Sequence, residues 1–353
     1  MRRGSLRILV CGLWLGALAL PVQAQVATNV PPVEPMAKPV TVERITVHSA
    51  AIAGNLEGNS PDRDVIVMLP PGYKSGRTRY PVVYALHGYS IGADQWSKEI
   101  HVPQTIEGAY AKGAKNMIVV FPDSKTVHNG SMYSGSQTVG DFETFVAHDL
   151  VGYIDAHYRT IAKRESRGLA GHSMGGYGAS RIGMKHADVF GAVYMMSPCC
   201  LSARGAAPLS PEARDALKTV KTPADAAKLP WGVRAQFAAA AAWSPNPSKP
   251  PLYFDLPDGD EAQQREILAR WAANAPLAFV DQYIGDLRRY RAIAIEVGDR
   301  DGLKADAQTL HEALDRYGIA NRFEIYPGDH TSDVADRFQN HVMPFFSQNL
   351  AFQ

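Results

Sequence analysis

Apolar and polar positions change rhythm several times along the chain, and each change predicts an element. Val42-Glu43-Arg44-Ile45-Thr46-Val47 alternates with period two, and Asp64-Val65-Ile66-Val67-Met68-Leu69-Pro70 is a second strand closed by Pro70-Pro71-Gly72. The pair predicts an antiparallel opening to a sheet. Pro81 to Leu86 and Asn116 to Phe121 are continuous apolar runs, as expected of strands buried on both faces. They break at His87-Gly88-Tyr89-Ser90 and at Pro122-Asp123. Parallel neighbours need a crossover, which a helix over Gly92 to Ala111 supplies.

Residues 124–138 are rich in serine and glycine and lack a period, which predicts a loop at the carboxyl end of a strand. Phe142, Phe145, Val146, Leu150 and Ile154 then share one helical face, so Asp141 to Tyr158 is predicted as a long amphipathic helix. Ser166 to Ala170 can serve as a short buried strand, Tyr177 to Met184 as a helix rich in small residues, and Gly191 to Met196 as the sixth strand, ending at Ser197-Pro198. The alternation resumes with the strand Ala292 to Val297, a helix from Lys304 to Tyr317, the strand Arg322 to Tyr326 and a final helix from Asp333 to Gln348. Strands alternating with helices argue an α/β fold with a mostly parallel central sheet and helices on both faces. Between Leu201 and Arg291 the pattern is interrupted by polar, alanine-rich and proline-rich stretches carrying Trp231, Trp243 and Tyr253. This stretch reads as a lid-like insertion over the carboxyl edge of the sheet, within one domain spanning residues 42–353. No internal repeat alters that picture.

The first residues do not belong to that domain. Arg2, Arg3 and Arg7 precede the apolar run Ile8 to Leu20, and Val22-Gln23-Ala24 follows as a small-residue site, the layout of a cleaved signal peptide. Thirteen or so apolar residues are too few to span a bilayer comfortably, so no stable membrane anchor is expected. The expectation is a periplasmic or secreted protein after cleavage near Ala24, with residues 25–41 as an extended, poorly ordered leader. Removing residues 1–24 takes away three arginines and no acids, which leaves (36 − 3) − 35 = −2. Such a balance offers no basic patch for nucleic acid. Export leaves the adjacent pair Cys199 and Cys200, read as two buried thiols in preference to a strained vicinal disulfide. No paired C-x-x-C or H-E-x-x-H spacing is present, and no metal or cofactor is expected.

The chemistry starts from Gly171-His172-Ser173-Met174-Gly175-Gly176, which places a serine between a buried strand and a helix. Glycines two positions to either side leave room for the sharp turn that exposes a nucleophilic Oγ. A serine needs a base within hydrogen-bond reach and a third group to orient that base. In such folds the chain order is serine, acid, histidine. The strand ending at Val297 is followed by Gly298-Asp299-Arg300-Asp301-Gly302, so Asp299 and Asp301 are both candidates, with Asp301 preferred because it reaches further past the strand end. Of the later histidines, His311 and His341 fall inside predicted helices, and only His330 follows a strand directly, in Pro327-Gly328-Asp329-His330-Thr331. The oxyanion donors expected are the Met174 N–H, just after the nucleophile, and the Tyr89 N–H after the third strand, with Gly88 as the alternative. His87 and His172 flank tight turns and are read as structural.

These motifs carry a resemblance. Leu86-His87-Gly88, Gly140-Asp141-Phe142-Glu143 with Asp149-Leu150, the segment Gly171 to Ala179 and the Ser197-Pro198 strand end resemble the esterase D family, which groups S-formylglutathione hydrolases, feruloyl and acetyl xylan esterases, enterochelin esterases and mycolyltransferases. The resemblance covers most of Arg44 to Phe346. It implies an α/β-hydrolase fold and a serine esterase or acyltransferase, with Ser173 in the nucleophile place, Asp301 as the acid, His330 as the base, and Tyr89 with Met174 as oxyanion donors. The long Leu201 to Arg291 insertion is the departure, and it bears on the substrate. The leading expectation is an exported carboxylic ester hydrolase working on a small-molecule or polysaccharide-linked ester through an acyl-enzyme. An acyltransferase to a sugar or lipid hydroxyl is the alternative, followed by a binding protein on a hydrolase scaffold; acyl chain length and oligomeric state are left open.

Overall fold

The computed structural model describes residues 26–203, 208, 209 and 211–353, with the side chain of Glu212 excepted; the predicted signal peptide lies outside the described residues. Strands β1 (Thr41–His48), β2 (Asp62–Leu69), β3 (Val82–Leu86), β4 (Ile118–Pro122), β5 (Arg167–His172), β6 (Ala192–Met196), β7 (Ala292–Gly298) and β8 (Arg322–Tyr326) build one sheet. Their spatial order is β1-β2-β4-β3-β5-β6-β7-β8. The pairs β1–β2 and β2–β4 are antiparallel and every other pair is parallel. The alternation predicts the mostly parallel sheet, and the whole is the α/β-hydrolase architecture that the resemblance implies.

Register decides where the site can form. Leu86 pairs with Gly171, His172 with Met196, Met196 with Glu296, and Tyr326 with Gly298. The carboxyl ends of β3, β5, β6, β7 and β8 therefore finish along one edge, and the loops that follow them meet there, as open parallel sheets require of their ligand sites. The inner strands are buried on both faces, so their side chains alternate between two apolar layers. Val82, Tyr84 and Leu86 join Phe145, Leu150, Ile154, Tyr177 and Ile182 on one face. Val83 and Ala85 join Trp96, Ile106, Phe121, Phe338 and Phe346 on the other.

Several helices differ in detail from their predicted form. The 92–111 crossover is two helices, α1 (Ala93–Glu99) and α2 (Gln104–Ala111), because Pro103 between them has no N–H to continue the ladder. The long helix after residue 141 starts with Asp141 accepting from the Thr144 N–H at 2.9 Å, passes through a π-turn at Phe145–Asp149 and ends as α3 (Leu150–His157). The helix after β5 is α4 (Met174–Lys185), and residues Met174 to Met184 are all buried. The stretch 201–291 contains α5 (Pro211–Leu217), α6 (Trp231–Trp243) and α7 (Glu261–Ala273) and, among the described residues, adds no strand to the main sheet. Next come α8 (Lys304–Arg316) after β7 and α9 (Met343–Asn349), which a second π-turn at Phe338–Val342 precedes.

The leader is the clearest correction. Its lack of period predicts poor order, yet residues 26–40 are fastened to the domain by backbone groups. The Val26 N–H donates to Glu99 Oε2 at 2.9 Å, the Asn29 N–H to the Ser332 carbonyl at 2.6 Å, and the Val40 N–H to Glu107 Oε1 at 2.9 Å. Gln104 Nε2 donates to the Pro31 carbonyl at 2.8 Å. Hydrogen bonds made by an extended backbone leave no trace in hydropathy.

Candidate active site

Ser173 is the single residue between β5 and α4, and the turn forces it to φ 58° and ψ −114°. A side chain held at positive φ costs about 1–3 kcal/mol and persists only where the surroundings impose it. Here the surroundings are tight. A Cβ on Gly171 would lie 2.1 Å from the Gly175 carbonyl oxygen, and one on Gly175 would lie 2.0 Å from the Leu86 carbonyl oxygen. The turn is tied down by its own backbone: the Ser173 N–H donates to the Met196 carbonyl at 3.0 Å, and the Cys199 N–H donates to the Ser173 carbonyl at 3.1 Å.

His330 comes to the same place from the loop after β8. Its Nε2 lies 2.9 Å from Ser173 Oγ, and its Nδ1 lies 2.8 Å from Asp301 Oδ2. A carboxylate accepts, so Nδ1 carries the proton in the resting state and Nε2 is free to accept from the serine hydroxyl. Asp301 sits in the loop after β7, and its Oδ1 also accepts from the Leu303 N–H at 2.9 Å. Burial on its own would push the Asp301 carboxyl up; the hydrogen bond and the attraction to His330, with the Leu303 N–H, outweigh it and hold the group below the ordinary carboxylate value. Of the two aspartates, Asp301 is the one brought to His330. Asp299 turns the other way, accepting from the Gly328 N–H at 2.9 Å, and so ties the β7 loop to the β8 loop.

The two flanking histidines hold backbone. His87 Nδ1 lies 2.8 Å from the Gly88 carbonyl and its Nε2 accepts from the Ser124 N–H at 2.8 Å; burial lowers its pKa and keeps it neutral. His172 Nε2 donates to the His330 carbonyl at 2.8 Å, and burial first, then the neighbouring His330, lowers its pKa to about 3. A neutral His172 is therefore a brace behind the His330 ring, whose centroid is 4.8 Å from its own.

Tyr89 and Met174 both border the cavity beside Ser173. Met174 opens α4, so its N–H has no acceptor inside the helix. The Gly88-Tyr89 turn runs close enough that a Cβ on Gly88 would sit 3.5 Å from Ser173 Cβ. The turn is held from outside, with the Tyr89 hydroxyl donating to the His128 carbonyl at 2.9 Å and the Ser90 N–H to the Asn129 carbonyl at 3.0 Å.

The cavity above Ser173 has a volume of about 570 Å³. Trp231, Ala235, Ala239 and Trp243 of α6, Trp271 of α7, Met132, Ile91 and Val26 are among its walls, so it is largely apolar and partly aromatic. Cys199 and Cys200 border it as free thiols. Among the described residues, Glu296, Glu324 and His341 bring ligand-type atoms within 4.8 Å of one another. Arg337 already serves them as the cation, at 2.5 Å from Glu296, 2.8 Å from Glu324 and 3.1 Å from His341. No described helix is long and apolar enough to cross a membrane.

The family named Esterase, described as "Putative esterase", matches residues 59–347. The chain belongs to this esterase family. Among curated relatives, Esterase Rv1288 of Mycobacterium tuberculosis (strain ATCC 25618 / H37Rv) is 36% identical over 126 residues, 35% of this chain and 26% of that protein. An endo-1,4-beta-xylanase/feruloyl esterase of Xylanibacter ruminicola is 31% identical over 130 residues, 35% of this chain and 18% of that protein. The aligned stretch is thus about a quarter or less of either relative's length. A solved structure of a ferulic acid esterase superposes with a TM-score of 0.62 at 24% identity, covering 89% of this chain and 99% of the other. That likeness extends to the fold.

Val26, Met132 and Trp271 are among the cavity residues that the sequence did not single out. Val26 came from a segment without pattern, Met132 from the unpatterned 124–138 loop, and Trp271 from a helix whose mixed polarity hides its inward face. The first two carry no periodic signal; Trp271 could have been found from its position four residues after Ile267 on α7, both being buried.

Proposed function

We propose that this protein is an exported serine carboxylic ester hydrolase that works through an acyl-enzyme on Ser173. The observation that carries the reading is the hydrogen-bonded chain Ser173 Oγ, His330 Nε2, His330 Nδ1, Asp301 Oδ2 opening on an apolar cavity. Ser173 Oγ attacks the ester carbonyl carbon while His330 Nε2 takes its proton, and Asp301 steadies the imidazolium that forms. The carbonyl oxygen becomes an oxyanion facing the N–H groups of Tyr89 and Met174. The tetrahedral intermediate collapses, the C–O bond to the alcohol breaks, and His330 returns the proton to the departing oxygen. Water then enters, gives a proton to His330 and its oxygen to the acyl carbon; collapse releases the acid and restores the Ser173 hydroxyl.

The aromatic walls favour an ester with an apolar or aromatic portion, and two of the similar proteins bear feruloyl or ferulic acid esterase names. Methyl ferulate and short-chain acyl esters compared side by side test that part of the reading. Export rests on the arginines and apolar run before Ala24 and is checked by fractionating cells that express the full chain. The 201–291 stretch acts as the lid-like wall that selects the substrate. Ser173→Ala is expected to abolish hydrolysis of p-nitrophenyl acetate while leaving the thermal midpoint near that of the parent; unchanged turnover would reject the assignment.

A further inference from the structure

The leader does more than run across the surface. Thr28 Oγ1 accepts from the Ala335 N–H at 3.0 Å, and the Asn29 N–H donates to the Ser332 carbonyl at 2.6 Å. Asn29 Nδ2 donates to Asp333 Oδ1 at 2.9 Å. All three bonds grip the segment 332–335 immediately after His330. The other side of the same loop is held by different groups: His172 donates to the His330 carbonyl, and Asp299 accepts from the Gly328 N–H. Within the loop, Asp329 Oδ1 accepts from the N–H groups of Thr331 and Ser332, both at 2.9 Å. On its far side the segment runs into the last helical stretch, with the Arg337 N–H donating to the Asp333 carbonyl at 2.8 Å and Val334 and Ala335 buried in the core, so the leader's bonds fall on the stretch between His330 and that helix. Two residues before Thr28, Val26 is 9% exposed and forms part of the cavity wall with Ile91 and Thr331. Its N–H is anchored on Glu99, at the far end of α1.

We infer that Val26 to Asn29 are a working part of the active site: Thr28 and Asn29 are positioning residues for His330, and Val26 helps set which ester fits. The inference rests on the reading of Ser173, Asp301 and His330 as the reacting groups. The Nε2 of His330 must sit within hydrogen-bond reach of the Ser173 hydroxyl in the resting enzyme and then of the leaving oxygen, so small displacements of the loop cost rate. Misplacing a reacting group by about 1 Å can cost up to a hundredfold. The chain cannot deliver this grip from the sheet, because β8 ends at Tyr326, four residues short of His330.

The test uses the whole protein with Thr28→Val combined with Asn29→Ala, the two single variants, and Thr28→Ser as the conservative replacement that keeps the acceptor. The expected result is a fall in kcat of about tenfold for the double variant with KM changed less than about twofold, smaller losses in the single variants, and near-complete recovery in Thr28→Ser. Hydrogen exchange at the amides of residues 331–336 is expected to quicken in the same order. If the double variant fails to fold, the single variants carry the same comparison. Val26→Phe is expected to raise KM for methyl ferulate relative to p-nitrophenyl acetate. An unchanged kcat with faster exchange, or a Thr28→Ser variant as impaired as Thr28→Val, overturns the positioning role. A parent protein that hydrolyses no ester would defeat the proposed function instead. The strap would then be judged on exchange alone, where unchanged protection at 331–336 overturns it.

Discussion

At the scale of residues, Ser173, the proposed nucleophile, is held half-buried on a turn that its glycine neighbours permit, and the two groups hydrogen-bonded in line with it arrive from loops more than a hundred residues away. Asp301 and Asp299 show how finely the outcome depends on direction. Both lie in the turn after β7, yet one carboxylate reaches His330 and the other binds the Gly328 N–H. Asp301→Asn is expected to lower kcat by about 10³–10⁴-fold with little change in KM, because an amide in that place favours the wrong imidazole tautomer. Asp299→Asn should lose tenfold or less, through loosening of the loop. Steady-state kinetics of the two variants separates them, and equal losses would contradict the assignment. Ser173 was legible as a candidate from the glycines of its turn, and His330 and the two aspartates were legible as candidates because chain order restricts the search to loops after late strands. What the chain order could not give was the heading of each carboxylate, which depends on two successive backbone turns.

At the scale of elements, the continuous apolar runs revealed the inner strands, since burial on both faces leaves no polar position. The π-turns at Phe145–Asp149 and Phe338–Val342 were not legible, as one extra residue per turn barely disturbs a helical apolar stripe. The insertion was legible as an interruption, and its function-bearing face becomes visible once α6 is placed. Trp231, Ala235, Ala239 and Trp243 recur every four residues on the side that meets the cavity. The alanines make the space that the tryptophans border. Ala239→Leu is expected to raise KM for methyl ferulate at least fivefold, while p-nitrophenyl acetate loses about twofold or less. Parallel losses for both esters would show that this face does not select the substrate.

At the scale of the whole molecule, one edge of the sheet gathers the loops, α6 and α7 supply walls of the cavity beside them and the leader clamps the loop of His330. Against α6 lies a buried pair, Glu57 and His128, with Oε1 and Nε2 3.4 Å apart and Phe237 and Phe254 against the imidazole. Burial pushes the Glu57 carboxyl up to about 8, and burial with the nearby Arg234 lowers His128 to about 4. Near neutral pH both are therefore uncharged in the folded protein. The unfolded chain gives up the Glu57 proton near its ordinary value of 4.5, so this group reduces stability as pH rises from about 4.5 to about 8. Glu57→Gln removes that penalty. Its thermal midpoint is expected to gain on the parent progressively between pH 5 and pH 8, and a difference that stays constant or shrinks would contradict a protonated Glu57. Whether Ser173 is the nucleophile is read from intact-mass analysis after exposure to a fluorophosphonate. A single adduct mapped to Ser173, absent in Ser173→Ala and slowed in His330→Ala, is the predicted result; no adduct, or one on another residue, would contradict it.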